Sequence, residues 1–211
     1  MEIINSTIED MQAIFKLYDA AIAYQQTKFY KQWQGFDELL IEKEIEEHRQ
    51  YKMIEDGTIV CIFAVTFSDA LIWGTKDKDP SIYIHRIVTN PLYRGRGYVK
   101  NIIEWAIKYG RNNGKQFVRM DTWGDNESLI KYYTSCGFTF LGLSQTIADD
   151  TLPKHYQGIQ LSLFEIAIWF FAVNIFNQET INLKYQYQLK NKRLDDSIKN
   201  KLKSYYYGNV W

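Results

Sequence analysis

A short basic turn, Arg94-Gly95-Arg96-Gly97-Tyr98-Val99, carries the clearest chemical signal in the sequence. It follows an apolar run at 82–89 that is typical of a strand, and it opens a helical pattern from about 98 to 110. Glycine lets the backbone approach a ligand closely, and the first amides of a helix have no partner within that helix. Together with the helix dipole and the two arginines, the glycines and these free amides predict a phosphate-binding site. Such turns also occur as plain connections, so the rest of the chain must decide.

The composition is that of an ordinary folded domain. The chain has 211 residues, and its hydrophobic content of 46% is enough to bury a core in one domain or in one domain plus an appendage. The formal net charge is zero, so there is no overall charge argument for binding nucleic acid or an anionic membrane. Aromatic residues make up 16%, which indicates that some rings line a pocket as well as the core.

The cysteines and the apolar segments bear on the cellular compartment. Cys61 and Cys136 lie far apart in the sequence, which favours two reduced thiols in an intracellular protein. Residues 1–4 show neither a basic region nor a long apolar one, so no signal peptide is expected. The most apolar segment, 166–176, is about half the length that spans a bilayer. We therefore expect a cytoplasmic protein.

Hydrophobic periodicity predicts the elements that must position the turn. An Asp56-Gly57 turn between apolar arms indicates a hairpin, and Asn126 or its neighbour is placed to cap a helix. Segments 29–36 and 68–79 are expected to be loops. The order β-α-α-β-β-β-α-β-α-β-β is mixed α/β and argues against a doubly wound parallel sheet. The predicted elements are strands 2–5, 51–55, 58–67, 82–89, 117–123, 138–143 and 158–166, and helices from 6 or 7 to about 22, 37–47, 98–110 and 126–135.

The motifs, taken in order, resemble the GNAT superfamily of N-acetyltransferases over about residues 1–165. The segment Arg94-x-x-Gly97-x-Val99 is similar to the acyl-CoA pyrophosphate motif Arg/Gln-x-x-Gly-x-Gly/Ala, and Ile87-Val88-Thr89-Asn90-Pro91 is the phrase that typically leads into it. Asn126, Tyr132-Tyr133 and Gly137-Phe138 follow at the family's spacings.

The resemblance implies a fold and a domain boundary. The fold is α/β (α+β), with a mixed, mostly antiparallel central sheet of about seven strands that is splayed between strands 4 and 5 and flanked by helices. The acetyltransferase domain would cover 1–166. Residues 167–211 would form a C-terminal extension, with an apolar segment followed by a basic amphipathic helix.

The resemblance also implies acetyl-CoA as co-substrate, with no metal. The pyrophosphate would be bound by Arg94, Gly95, Arg96, Gly97, Tyr98 and Val99, the pantetheine by the strand at Ile87, Val88 and Thr89. Val99 departs from the motif, because the family usually has a small residue there that allows close approach. We expect the valine to be tolerated, since the Gly97 amide remains available. Asn126 would contact CoA, cap a helix, or both.

Two proton transfers accompany direct acetyl transfer to an amine. His85 is the candidate base, because some family members have a histidine there and because its ordinary pKa suits the task. Strand alternation predicts His85, Ile87 and Tyr83 on one face. The alternative is a structural histidine. Tyr133 is at the family's position for stabilising the departing thiolate, although it could also be a core tyrosine.

Several aromatic residues are candidates for binding the acceptor. Tyr83 would line the acceptor pocket or relay a proton, and Trp33 and Trp73 lie in segments that cover the acceptor side in the family. Trp123 would touch the substrate or pack in the core. These rings favour an acceptor with apolar or aromatic character. Cys136, beside the helix-ending Gly137, is expected to pack rather than act as a nucleophile.

Three functions remain open at this point. The first is an acetyl-CoA-dependent N-acetyltransferase that acts on the primary amine of a small molecule. The second is a non-catalytic acyl-CoA-binding or interaction module, and the third is a protein or peptide N-acetyltransferase. The extension at 167–211 would dock on its own domain, form a homodimer contact, or bind an anionic surface; overall we expect neither a nucleic-acid nor a membrane partner.

Overall fold

A computed structural model describes residues 1–28, 33–124, 126–146 and 158–168. All of them fall in one compact unit, Met1–Phe170. The C-terminal extension predicted at 167–211 lies outside the described residues, apart from Ala167 and Ile168. In the described part of the chain, no helix is both long enough and apolar enough to cross a bilayer.

The described residues form a seven-stranded sheet with helices on both faces. The strand order is β1-β2-β3-β4-β5-β7-β6, and every neighbouring pair is antiparallel except β4 and β5. This confirms the predicted fold class and order of elements. The strands are β1 (Glu2–Asn5), β2 (Gln50–Glu55), β3 (Thr58–Thr66), β4 (Ser81–Thr89), β5 (Phe117–Trp123), β6 (Thr139–Gln145) and β7 (Gln160–Ala167), and the helices are α1 (Met11–Lys28), α2 (Glu38–Glu46), α3 (Ala70–Trp73), α4 (Tyr98–Asn112) and α5 (Glu127–Ser135).

The segment 68–79 is not the irregular loop that its polarity predicts. It contains α3 and a 3-10 turn, Gly74–Lys78. The carboxylate of Asp77 explains the compact shape, because it accepts hydrogen bonds from the Ser68 hydroxyl at 2.7 Å and from the Asp69 amide at 2.6 Å. Polar composition here reflects internal pairing of the segment rather than an extended connection.

Two layers of core cover the two faces of the sheet. One layer packs α4 and α5 against the sheet, and the other packs α1 and α2. Strand β3 is buried on both faces, so Cys61 contributes to the first layer and Ile62 to the second. This explains why β3 reads as a continuous apolar run, as expected of a central strand.

Helix α4 lies very close to the end of the last described strand. A Cβ atom on Gly110 would approach Cδ1 of Ile168 to 2.3 Å, which is far inside van der Waals contact. Glycine at this position therefore leaves room for the Ile168 side chain beside the last turn of α4. At the other end of the helix, Tyr98, Val99 and Ile102 belong to the first core layer, which anchors the N-terminus that follows the Arg94–Gly97 turn.

Strands β4 and β5 separate along their length. They pair in parallel over three positions only, from Ser81 opposite Phe117 to Tyr83 opposite Arg119. Strand β5 continues to Trp123 with β7 as its partner on the other side. The second halves of β4 and β5 therefore face each other across a gap, as the resemblance predicts.

A bulge in β4 changes which side chains face which layer. Opposite β3, the register shifts between Ala64, which pairs with His85, and Ile62, which pairs with Val88. Arg86 has the left-handed φ of 51° at this point. As a result Ile87 packs on the first core layer and Val88 on the second. The expectation that His85 and Ile87 share a face is wrong, because simple alternation omits the extra residue.

Candidate active site

The gap between β4 and β5 opens into a cavity of about 860 Å³. This volume is in the range of small-molecule sites. Helix α1 and the segment after it contribute one wall, the two splayed strands contribute the floor, and α5 closes another side. The lining residues are Tyr24, Gln25, Trp33, Ile84, His85, Arg86, Ile87, Met120, Asp121, Thr122, Trp123, Gly124, Asn126, Leu129, Tyr133 and Gln160.

Three groups that can bind a cation or a proton meet beside this cavity, and two of them, His85 and Asp121, line it. Asp69, His85 and Asp121 each offer one atom, and these atoms lie within 4.8 Å of one another. Nε2 of His85 is 3.5 Å from Oδ2 of Asp69. Both carboxylate oxygens of Asp121 are shielded from solvent and have no hydrogen-bond partner among the described residues, and the same holds for Oδ2 of Asp69. We call these three residues the acidic cluster.

The surroundings move the carboxylate pKa values toward neutrality. Burial raises the pKa of Asp121 from its ordinary value to about 7. Burial, then the nearby charges of Asp121 and Asp77, raise the pKa of Asp69 to about 8. Since ionised carboxylates are costly to bury without partners, the acidic cluster holds protons near neutral pH. A carboxylate with a pKa near 7 is well suited to accept a proton from a substrate.

His85 has a different electrostatic environment. Burial, followed by the positive charges of Arg86 and Arg49, lowers its pKa to about 3. The imidazole therefore stays neutral at physiological pH. The prediction that His85 is the base assumed the ordinary histidine pKa, and the lowered pKa removes that argument. Neutral imidazole can still pass on a hydrogen bond between its neighbours.

The guanidinium of Arg86 lines the cavity but is already paired. It donates hydrogen bonds to the buried carboxylate of Glu44 and to the hydroxyl of Tyr18, the latter at 3.3 Å. The other oxygen of Glu44 lies 3.5 Å from Arg49. Helix α2 thus supplies the negative charge that balances Arg86.

A buried arginine, Arg119, holds the end of the 68–79 segment, where the 3-10 turn Gly74–Lys78 leads into Asp79. Arg119 is fully buried and donates to Asp79 and Glu165, both at 2.8 Å. Its guanidinium lies 5.0 Å from the centre of the Trp73 ring and also bonds the Tyr83 hydroxyl at 3.3 Å. The described residues that line the cavity include neither Tyr83 nor Trp73, which pack around Arg119 instead. Their prediction as acceptor contacts gains no support from this arrangement.

Helix α5 brings two of the predicted residues to the cavity. The side chain of Asn126 accepts hydrogen bonds from the amides of Ser128 and Leu129, so it is the helix cap. Tyr133 lines the cavity and packs on Phe164, with ring centres 5.4 Å apart. Burial and the neighbouring Tyr132 raise the pKa of Tyr133, so its phenol stays protonated and can donate a hydrogen bond.

The Arg94–Val99 turn has a geometry suited to binding phosphate. Gly95 and Gly97 have left-handed φ values of 81° and 76°, and Gly97 caps α4 without any side chain over its first amides. Glu55 anchors the turn, because it accepts hydrogen bonds from Arg96 at 3.0 Å and from the Tyr98 hydroxyl at 2.9 Å. The guanidinium of Arg94 lies 4.0 Å from the centre of the Tyr24 ring, and that ring also lines the cavity.

The remaining predicted cofactor contacts lie on α4 and on both sides of β4. Val99 is 7% exposed and belongs to the first core layer. Its β-branched side chain thus packs into the core. Ile87 lines the cavity, Val88 is buried, and the Thr89 hydroxyl lies 3.8 Å from the Cys61 sulfur. Cys136 packs against the first core layer, in agreement with its predicted packing role.

Trp33 and Trp123 line the cavity on two sides. The backbone amide of Trp33 donates to Gln25 at 2.8 Å, and its ring meets Phe36 edge to face. These contacts hold the described end of the aromatic segment against α1. Phe29 and Tyr30 of the same predicted loop lie outside the described residues.

Sequence reasoning missed the two carboxylates of the acidic cluster. The position of Asp121 could have been found, because Tyr83 pairs with Arg119, and two residues further along each parallel strand come His85 and Asp121 on the same face. Asp69 could not, since it comes from the 68–79 segment, whose compact shape depends on its own side-chain hydrogen bonds.

Comparison with protein families gives one match that covers more than half of the chain. The model described as "Acetyltransferase (GNAT) family" matches residues 12–138. An uncharacterised N-acetyltransferase of Bacillus subtilis, YesJ, is 24% identical over 142 residues, which is 64% of this chain and 79% of YesJ. An uncharacterised N-acetyltransferase of Methanocaldococcus jannaschii is 26% identical over 143 residues, which is 64% of this chain and 58% of that relative.

Solved structures with a similar fold are numerous. A GNAT-family acetyltransferase from Listeria monocytogenes superimposes with a TM-score of 0.63 at 22% identity, covering 79% of this chain and 94% of that one. The putative acetyltransferase YncA of Salmonella typhimurium, solved with acetyl-CoA, gives a TM-score of 0.58 at 16% identity, covering 82% and 96%. At these identities the likeness establishes the fold.

Proposed function

The chain belongs to the GNAT acetyltransferase family, and from this premise we propose that it transfers an acetyl group from acetyl-CoA to the primary amine of a small molecule. The observation that carries the proposal is the cavity between β4 and β5, where His85 and Asp121 of the acidic cluster line one space with Tyr133, and Asp69 lies behind them. A cavity of about 860 Å³ suits a small acceptor, whereas a peptide acceptor would be expected to need a flatter, more open surface.

The donor is held mainly by the main chain. The glycine-containing turn and the first amides of α4 bind the pyrophosphate, with Arg94 and Arg96 adding charge. The pantetheine pairs with the end of β4 near Ile87, Val88 and Thr89. This arrangement directs the thioester into the gap between the splayed strands, where the amine is held close to it.

The acidic cluster takes up the proton that the amine loses. The substrate ammonium first gives one proton to Asp121, directly or through His85, which frees the lone pair on nitrogen. The neutral nitrogen then attacks the thioester carbonyl, a C–N bond forms, the C–S bond breaks, and the second proton on nitrogen leaves to solvent. Burial gives this carboxylate a pKa of about 7, so it can receive a proton at neutral pH and return it to solvent.

Tyr133 stabilises the leaving group. Its phenol donates a hydrogen bond to the departing sulfur, and it carries no charge that would have to be buried. Because the pKa of Tyr133 is raised, it acts as a hydrogen-bond donor and does not remain as a phenolate. The CoA thiolate takes its proton from solvent.

The proposal is tested by thiol release from acetyl-CoA with a panel of primary amines, and by mass spectrometry of the acetylated product. Turnover of at least one small amine, lost on Tyr133→Phe, is the expected result. Tight acetyl-CoA binding without turnover of any amine would favour the non-catalytic binding module instead. Preference for peptide N-termini over every small amine would favour the peptide acetyltransferase.

A further inference from the structure

Within the described part of the chain, the buried carboxylates of the acidic cluster lack a hydrogen-bonding partner for three of their oxygens. Asp69 and Asp121 are near each other, yet both oxygens of Asp121 and one of Asp69 have no hydrogen-bond partner among the described residues. A buried carboxylate without a partner is costly, and it is compensated either by a proton or by a cation delivered to it. Because Asp121 forms part of the cavity wall, a cationic group of a ligand in the cavity can reach it and replace the proton.

The spacing of the cluster admits a primary ammonium group. An –NH₃⁺ group has three hydrogen-bond donors, as in lysine. Acceptors about 2.8 Å from its nitrogen in tetrahedral directions are about 4.6 Å apart. The acceptor atoms of Asp69, His85 and Asp121 lie within 4.8 Å of one another, which accommodates this arrangement. Tetrahedral ligands at about 2.1 Å from a transition metal would be about 3.4 Å apart, and Nε2 of His85 is 3.5 Å from Oδ2 of Asp69, so a metal ion is the competing occupant of the cluster.

Arg86 and Arg49 are already paired within the protein, so neither offers a free positive charge to a substrate carboxylate. Arg86, the cation in the described cavity lining, is held by Glu44 and Tyr18. Arg49 is held by Glu44 and by Glu47 at 2.5 Å. A carboxylate next to the reacting amine would therefore meet the acidic cluster without a free positive partner.

We propose that Asp69, His85 and Asp121 form an ammonium-recognition site that selects acceptors whose primary amine has no carboxylate beside it. The inference deepens the proposed function and depends on it for the identity of the reaction. It assigns the acceptor to the class of cationic amines and excludes zwitterionic amino acids. Trp33 and Trp123 then face the apolar or aromatic body of the acceptor.

A matched set of three acceptors separates charge from size. 2-Phenylethylamine has no substituent beside the amine, L-phenylalanine carries a carboxylate there, and L-phenylalaninamide carries a neutral group of similar size. In assays above about pH 8, where the carboxylates have lost their protons, we expect kcat/KM for L-phenylalanine to be at least about 100-fold below that for the amide, because only the acid brings a like charge to the cluster. Values within about three-fold of each other would overturn the proposal.

The variant Asp121→Asn tests the cluster directly. It keeps the shape and removes a charge, so the ratio between amide and acid should shrink to below about ten-fold even though overall activity falls. Asp69→Asn should shrink the ratio as well. Asp56→Asn, in the exposed β2–β3 turn, is the matched control and should leave the ratio unchanged. An undiminished ratio in both cluster variants would overturn the proposal.

A binding measurement keeps the two proposals distinguishable. Calorimetric titration of 2-phenylethylamine into the protein saturated with CoA requires no chemistry. Binding that is weakened at least ten-fold by Asp121→Asn supports the recognition site even if no amine is acetylated, in which case only the proposed function fails. Equal binding of L-phenylalanine, or no binding of the amine, overturns the recognition site.

The same protein tests the metal alternative. After treatment with EDTA, binding of 2-phenylethylamine should be unchanged. If the treatment abolishes binding and Mn²⁺ or Zn²⁺ restores it, the cluster is a metal site and the ammonium proposal is overturned.

Discussion

The donor turn and the acidic cluster solve opposite recognition problems. The donor turn, Arg94–Val99, presents main-chain amides near the surface, and Arg96 remains 54% exposed while paired with Glu55. The acidic cluster presents carboxylate oxygens of Asp69 and Asp121 that are shielded and have no hydrogen-bond partner among the described residues. A ligand bound by amides tolerates changes in the side chains around it, whereas a ligand bound by a few buried charges depends on each of them. Under the proposed function, donor binding would tolerate changes in the surrounding side chains, whereas acceptor selection would depend on each charged residue of the acidic cluster.

The largest expected effect is on activity in Asp121→Asn. We expect kcat/KM to fall about 100- to 1000-fold, because the amide cannot accept the amine proton. The wild-type kcat/KM should rise with pH through about 7, as Asp121 loses its proton and becomes able to act as base. Stopped or continuous thiol-release assays across pH measure both. A variant that kept the wild-type pH limb would show that another group is the base.

Tyr133→Phe should have the next largest effect. The phenol donates to the developing thiolate only as the C–S bond breaks, so we expect kcat to fall about 10- to 100-fold with KM for acetyl-CoA within about two-fold. Tyr132→Phe is the matched control, since that neighbouring ring is 40% exposed and its residue is absent from the described cavity lining. Equal losses in the two variants would contradict the assignment.

Gly97→Ala tests the main-chain character of the donor turn. The new side chain disfavours the left-handed φ of 76°, so we expect KM for acetyl-CoA to rise about ten-fold with little change in kcat. Gly57→Ala imposes the same strain at φ 74°, in the β2–β3 turn. Both should lose about 1 kcal/mol of stability. If both raised KM alike, the effect would come from stability and not from the turn.

Asp121→Asn should also stabilise the fold, in a way that depends on pH. The pKa of Asp121 is raised from 3.8 to about 7 by folding, so the folded state keeps a proton that the unfolded state loses. The wild type is therefore penalised progressively from about pH 4 to 7, and asparagine avoids this penalty. Thermal unfolding should show no advantage near pH 4 and about 1–3 kcal/mol above pH 7. An advantage that did not grow with pH would place the carboxylate in a solvated environment.

The smallest functional effect is expected for Val99→Ala. The valine packs into the first core layer, so its loss should cost about 1–2 kcal/mol of unfolding free energy. Acetyl-CoA affinity, measured by calorimetry, should stay within about two-fold of wild type. A marked gain in affinity would mean that the β-branched side chain restricts the turn after all.

The same contrast explains what could be predicted from the sequence. The donor turn is local: its glycines, its helix and the strand before it are consecutive, so its motif and the order of elements identify the fold. The acidic cluster joins Asp69, His85 and Asp121 from three separate elements. Its pKa values depend on burial, which no local pattern encodes. Alternation also failed at Arg86, because a bulge depends on pairing with β3.

Because of the bulge at Arg86, the number of residues in β4 decides which side chains of its second half face each side of the sheet. Before the bulge, His85 meets Asp69 and Asp121; after it, Ile87 and Val88 have exchanged the layers that simple alternation would give them. Deleting one residue here would restore alternation and invert the half of the strand that we assign to the pantetheine, while leaving every motif legible. An insertion and deletion scan of 85–88 would detect this constraint, which a substitution scan of the same positions would not reveal.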